Sequence, residues 1–240
     1  KRFEAGRFVE AERVKDYWAK DLPIKRGQHN FDVIRYDYFR DATVIREALK
    51  AGDIDFHREN SSKAWALEYR IKAVEEKRLR KEVVPDQIPK GMQAFVMNTR
   101  RKHFEDVRVR EAIALAFDFE WTNKHLFFGQ YTRTRSYFSN SELASSGIPY
   151  GEELATLEPY RKDLPETLFT QPFEIPRTDG SGWPRANLRR AFTLLEEAGW
   201  VVRDFELVRR DTGAAFEFEI LLASTAFERV VLPFIKNLKR

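Results

Sequence analysis

Apolar and polar positions alternate in short blocks along this chain, and the period changes from block to block. Phe31-Asp32-Val33-Ile34-Arg35-Tyr36 is rich in aromatic and β-branched residues and predicts a strand. From Asp41 the spacing becomes helical. Val44, Ile45, Ala48 and Leu49 form an apolar stripe, with Asp41 as N-cap and Gly52 as stop. Ile54-Asp55-Phe56 reads as a short strand. Ser61 or Ser62 then caps a second helix, to about Ala73, carrying Trp65, Leu67 and Tyr69. Before these blocks, residues 1–30 are polar and read as irregular, with turns at Pro23 and Gly27.

The later blocks repeat the pattern. Glu75 to Glu82 is a charged, solvated stretch, and Pro85 and Pro89 mark a loop. Ala94 to Met97 reads as a buried strand. Val107 to about Phe119 is a helix capped by Asp106, with Val109, Ala112, Ile113, Ala116 and Phe117 at helical spacing. Residues 130–183 are broken by Pro149, Pro159, Pro165, Pro172 and Pro176 and predict a long irregular segment. Pro184 to Ala198 is a helix stopped by Gly199. Phe216, Phe218 and Ile220 alternate with Glu217 and Glu219 as in a strand. Residues 226–239 close with a helix that contains Pro233. This order predicts an α/β fold with a mixed sheet.

Composition narrows the chemistry. With no Cys in 240 residues, structural disulfides, thiol catalysis and Cys-ligated zinc are excluded. His29, His57, His103 and His125 stand at no metal-ligand spacing, so neither a metal nor another cofactor is expected. No Gly-x-Ser-x-Gly elbow and no glycine-rich phosphate loop occurs, and pairs such as Glu152-Glu153 and Glu196-Glu197 diverge on a helix. The expectation is a protein that is not an enzyme. The net charge of +4 is spread along the chain. Lys77 to Lys81 and Arg100 to Lys102 keep a nucleic-acid-binding or interaction module open as an alternative of a different class. No run of about 18 apolar residues predicts a membrane span. Twenty Phe, eight Tyr and five Trp supply aromatics both for a core and for the lining of a ligand pocket.

One segment is more specific. Asn98 to Asp118 reads NTRRKHFEDVRVREAIALAFD. It resembles the signature of the family 5 extracellular solute-binding proteins of ABC transporters, the oligopeptide- and dipeptide-binding type, with His103 where that family usually has Pro. TVIREALKAGDID at 43–55, NLRRAFTLLEEAGW at 187–200 and the segment 216–240 resemble further family segments in the same order. RVKDYWAKDLPIKRGQHNFD at 13–32 resembles the YejA-type branch, which is associated with peptides and peptide-like compounds.

The resemblance implies part of a two-lobed, type II periplasmic-binding-protein fold, in which the chain is an internal fragment. Residues 1–90 would end lobe one (domain I), and 91–240 would begin lobe two (domain III). It implies a periplasmic protein that binds a peptide or peptide-like ligand in an interlobe cleft and hands it to an ABC permease in the inner membrane. The remaining segments of the same protein would lie beside it. Opines, sugars, siderophore-like molecules and metal chelates are alternative ligands within the family. The acidic residue that captures the peptide amine would lie beyond Arg240. Family segments that face the ligand match here at the loop after Asp55 (Glu59, Asn60), the strand before Asn98 (Phe95, Val96) and the start of the last helix (Thr225, Phe227). Arg108 and Arg110 are expected to form salt bridges across the lobe.

Overall fold

The computed structural model describes residues 2–240. The chain divides into two compact units. The first runs to Asn60 and includes Arg70–Lys81; the second comprises Ser61–Tyr69 and Glu82–Arg240.

The first unit is built on an antiparallel meander of β1 (Arg2–Glu4), β2 (Phe8–Glu12) and β3 (Val33–Asp37), in that order. β1 and β2 lie in the stretch expected to be irregular. Their sequences, RFE and FVEAE, carry too little apolar alternation to announce strands. What supports them is a cross-strand ion pair of Arg2 with Glu10 at 2.8 Å, and Arg35 stacked over Phe8 at 4.0 Å. Phe3, Val9 and Tyr36 stand in register on one face, and all three are exposed.

Helix α1 (Ala42–Ala51) forms as its pattern predicts. The Asp41 carboxylate accepts the Thr43 N–H at 2.6 Å, and Gly52 adopts φ +87° to end the helix. The second predicted helix is shorter than expected and split. In the second unit, α2 (Ser62–Leu67) starts at the Ser61 cap and stops before Tyr69. α3 (Lys72–Glu75), in the first unit, restarts beyond Ile71.

In the second unit α4 (Lys102–Glu105) leads into α5 (Val107–Leu115), then α6 (Phe119–His125). Asp118 ends the expected longer helix by capping a new one. Within the segment read as irregular lie α7 (Gly151–Leu157), a 3₁₀ turn at Glu158–Asp163 and α8 (Thr167–Thr170). α9 (Arg185–Glu197) follows, then a hairpin of β4 (Trp200–Arg203) and β5 (Glu206–Arg209), and finally α10 (Glu228–Leu238). The hairpin turn uses Asp204 and Phe205 at φ +50° and +65°. This is left-handed backbone normally supplied by Asn-Gly or Asp-Gly, so the sequence gives no strong turn signal there.

α5 packs on α9. Val109 and Ile113 meet Ala198 and Trp200 in one buried cluster, and Ala112 and Leu115 meet Ala191 and Leu194 in a second. Phe95, Phe216 and Phe218 pack against the first cluster. Phe216–Leu222 keeps the expected alternation of covered and exposed side chains; Ala94–Met97, expected to be buried, alternates too, with Phe95 and Met97 partly covered and Ala94 and Val96 exposed. Among the described residues, however, they form no ladder beyond the Ala215–Val208 bridge and the Phe216 N–H bond to the Leu207 carbonyl. Ile54–Phe56 also lacks a ladder. Periodicity reports which face of an extended segment is covered; it does not supply the non-local partner that makes a strand.

Arg108 and Arg110 both make structural bonds, but the ion pair is local, between Arg108 and Asp106, in place of the salt bridges expected across the lobe. Arg108 grips Asp106 at 2.6 Å and donates to the Glu197 carbonyl at the end of α9, at 2.7 Å. Arg110 donates to the carbonyls of Phe104 and Glu105. The Arg108 hydrogen bonds hold the Asp106 carboxyl below the usual carboxylate range, although partial burial opposes them. A lowered native value stabilises the fold above the unfolded value near 3.9, and this contribution disappears as pH falls through the lower native value. Both side chains are partly exposed, so solvent screening keeps the pair's contribution small. Asp106→Asn is therefore expected to lower the melting temperature slightly at neutral pH. That difference from wild type should vanish in acid, as read by thermal melts across pH.

Candidate functional site

In the first unit, the loop after α1 carries the nearest approach to a built site. The Asp53 N–H and Gly52 N–H bond back to the carbonyls of Ala48 and Leu49, which fixes the loop's departure. From Phe56 to Asn60 the side chains alternate. Phe56, Arg58 and Asn60 are exposed, Phe56 at 82%, while His57 and Glu59 turn inward. The Glu59 side chain is only 6% exposed and lies 3.7 Å from the guanidinium of Arg46, on α1, and 3.6 Å from His57 Nε2. A carboxylate taken this far out of water requires a cation such as the Arg46 guanidinium beside it. The structure thus gives the two residues expected in this loop different surroundings: Glu59 is held from beneath, and Asn60 faces solvent. Phe56 and Arg58 share the outward side with Asn60. Sequence reasoning passed over them because a period-2 pattern of Phe, His, Arg, Glu and Asn carries no hydrophobic signal.

The other four expected residues lie in the second unit. Phe95 stacks on Phe234 of α10, with ring centroids 5.3 Å apart, and meets Phe117 edge-on at 5.8 Å. Val96, on the opposite side of the backbone, is 91% exposed. Thr225 and Phe227 form the 3₁₀ turn that opens α10, where Ser224 caps the Ala226 N–H. Thr225 is exposed and Phe227 half-buried. Phe234 stands two helical turns beyond Phe227, about 10 Å along the axis. α10 therefore carries both the Thr225–Phe227 turn and the ring on which Phe95 rests.

A recess of about 580 Å³ opens beside α10, among Asp118, Trp121, Trp183, Leu232, Phe234 and Arg240. Many of the polar groups in and around it bond to one another. Asp118 accepts the N–H groups of Trp121 and Gly182, both at 2.9 Å, and the Thr178 hydroxyl. Glu120 accepts the Thr178 N–H at 3.1 Å. Arg240 donates to the Gly182 carbonyl and to Asn237. Arg133 donates to the Pro176 carbonyl and faces the rings of Phe117 and Phe119; burial pushes its guanidinium down, partly offset by Glu120. Gly182, at φ +80°, lies so close to Trp121 that a Cβ would meet the indole at 3.0 Å. These bonds strap residues 176–183 onto α6. The recess lies beside this strap, with Lys236 of α10 also on its wall. Among the described residues no cluster of His, Asp and Glu could hold a metal ion, and no helix is long and apolar enough to cross a membrane.

A family model described as "Bacterial extracellular solute-binding proteins, family 5 Middle" matches residues 1–240, the whole chain. The chain belongs to this family. Uncharacterized protein YejA of Escherichia coli (strain K12) is 44% identical over 238 residues, which cover 99% of this chain and 39% of that protein. The probable peptide-binding protein YejA of Agrobacterium fabrum (strain C58 / ATCC 33970) is 40% identical over 237 residues, 98% of this chain and 39% of that protein. The chain spans about two fifths of the length of the curated relatives it matches. Among solved structures, NikA from Brucella suis in complex with Fe(III)-EDTA superposes with a TM-score of 0.64 at 17% identity, over all of this chain and 40% of that one. At that identity the likeness speaks for the fold, and it agrees with part of a type II periplasmic-binding-protein fold. The signature at Asn98–Asp118 and the YejA-like stretch at 13–32 are borne out as marks of the family-5 and YejA-type resemblance.

Proposed function

We propose that this chain is part of the solute-binding component of an ABC importer, which takes up peptides or peptide-like compounds outside the cytoplasm and delivers them to an inner-membrane permease. The observation that carries this reading is the family 5 match over the whole chain together with 40% identity to a probable peptide-binding YejA. Binding alone suffices for the role. The ligand stabilises a closed state, the permease recognises that state, and no bond is made or broken. In this reading residues 1–90 end lobe one, residues 91–240 begin lobe two, and the protein works in the periplasm without a cofactor. Glu59, Asn60, Phe95, Val96, Thr225 and Phe227 belong to the segments nearest the ligand. The exposed row Phe3, Val9 and Tyr36 is then covered by other segments of the full-length protein.

A metal chelate is the second reading, favoured by the NikA neighbour with its bound Fe(III)-EDTA. Uptake separates the two. Cells lacking the gene for the full-length protein are expected to lose import of a labelled tripeptide mixture and to keep import of a labelled iron chelate. Unchanged peptide import, or selective loss of chelate import, contradicts the peptide reading.

A further inference from the structure

The loop Phe56–Asn60 has two sides with different chemistry. Inward, Glu59 lies against both His57 and Arg46 of α1, whose side chain is 11% exposed, so the loop is held from below by a largely buried cluster. Outward, Phe56, Arg58 and Asn60 stand in solvent. Arg58 has no ion-pair or hydrogen-bond partner among the described residues, whereas Arg2, Arg7, Arg35, Arg46 and Arg78 in the same unit are all paired with carboxylates. The division follows the alternation of burial along the loop, with His57 and Glu59 covered and Phe56, Arg58 and Asn60 exposed. Pinning His57 and Glu59 leaves Phe56, Arg58 and Asn60 on the other side.

We infer that Phe56, Arg58 and Asn60 are the ligand-reading side of this loop, and that Arg58 takes a carboxylate of the ligand. This rests on the solute-binding reading above and names the ligand group that one segment recognises. The guanidinium presents a rigid fork that matches a carboxylate with two parallel hydrogen bonds. Asn60 offers both a donor and an acceptor to an amide of the ligand backbone. Phe56 supplies apolar area for a neighbouring side chain. Glu59 acts through these residues: its carboxylate, held by Arg46 and His57, is a positioning group and not a contact. A carboxylate can come from the peptide C-terminus or from an acidic side chain, and both satisfy the same fork.

The test uses the full-length protein and a synthetic mixture of tripeptides, each present as free acid and as C-terminal amide, with Gln- and Glu-containing pairs included. Retained species are identified by mass spectrometry after rapid desalting. Wild type is expected to retain carboxylate-bearing species over their neutral counterparts by about 10–100-fold, the worth of a charged hydrogen-bonded pair. Arg58→Gln, a change at an exposed side chain, should abolish that preference while neutral peptides are still retained. Preference for the free acids assigns the C-terminus, and preference for Glu over Gln assigns a side chain. Glu59→Gln should weaken acids and amides together and leave their ratio unchanged. An Arg58→Gln protein that discriminates as wild type does overturns the inference while leaving peptide binding intact. A wild type that retains no peptide at all overturns the reading on which it rests.

Discussion

Asp118→Ala is expected to destabilise the second unit of the full-length protein by about 4 kcal/mol and to open residues 176–183 to proteolysis. Asp118 is 3% exposed, and its carboxylate serves three donors at once. One is the cap of α6, worth about 1 kcal/mol. The other two, from Gly182 and Thr178, are charge-assisted bonds worth about 1.5–3 kcal/mol each. Alanine leaves the Gly182 N–H beside the Trp121 indole with no acceptor, and no side chain at 182 can fill the gap. Asp118→Asn keeps the size and some of the acceptor capacity, so it should cost less. Limited proteolysis followed by mass spectrometry locates the first cut. For the alanine variant it should fall in the strap, whereas a wild-type pattern with unchanged melting would show that Asp118 anchors nothing.

Arg46→Met ranks second, at about 3 kcal/mol on the first unit. Removing one partner of a buried pair strands the other charge in a dry site, which costs about 3–5 kcal/mol. The low end applies here because the 3.7 Å separation is long and His57 stays beside Glu59. The double variant Arg46→Met, Glu59→Gln removes both charges and should recover much of the loss, so a double-mutant cycle by denaturant melts should give a clear coupling energy. Additive effects would show that the two side chains do not act as a pair.

These anchors differ in how far the sequence announces them. Asp41, Asp106 and Gly52 could be read directly, because a cap is a local event decided by residues three or four apart. The apolar faces of α5 and α9 were legible for the same reason, since helical spacing reports burial without naming the partner. Asp118 opens the run Asp-Phe-Glu, which looks like another cap. Its bonds to Thr178 and Gly182 lie some sixty residues away and leave no local trace. β1 and β2 were hidden because charge pairing, not apolar alternation, supports them. The Trp200–Arg209 hairpin was hidden because Asp204-Phe205 takes a backbone conformation that glycine usually marks.

The candidate site divides along the same line. The segments around Glu59, Phe95 and Thr225 came from resemblance, which transfers position along the chain and not orientation. Whether a side chain points toward Arg46 or toward solvent depends on non-local packing. That is why the turn of Glu59 inward and of Arg58 outward emerges only with the fold. Phe95 shows the same limit. The segment was expected to line a cleft, and its ring is stacked on Phe234, which leaves Val96 as the exposed member of the pair.

The central claim is that the full-length protein carries peptides or peptide-like compounds. Its most direct test is mass spectrometry of the small molecules released by denaturing that protein after purification from periplasm. Co-purified peptides, with a consistent length, are the result this account predicts. A single non-peptide compound, or a protein that retains nucleic acid at low salt and no small ligand, would contradict it.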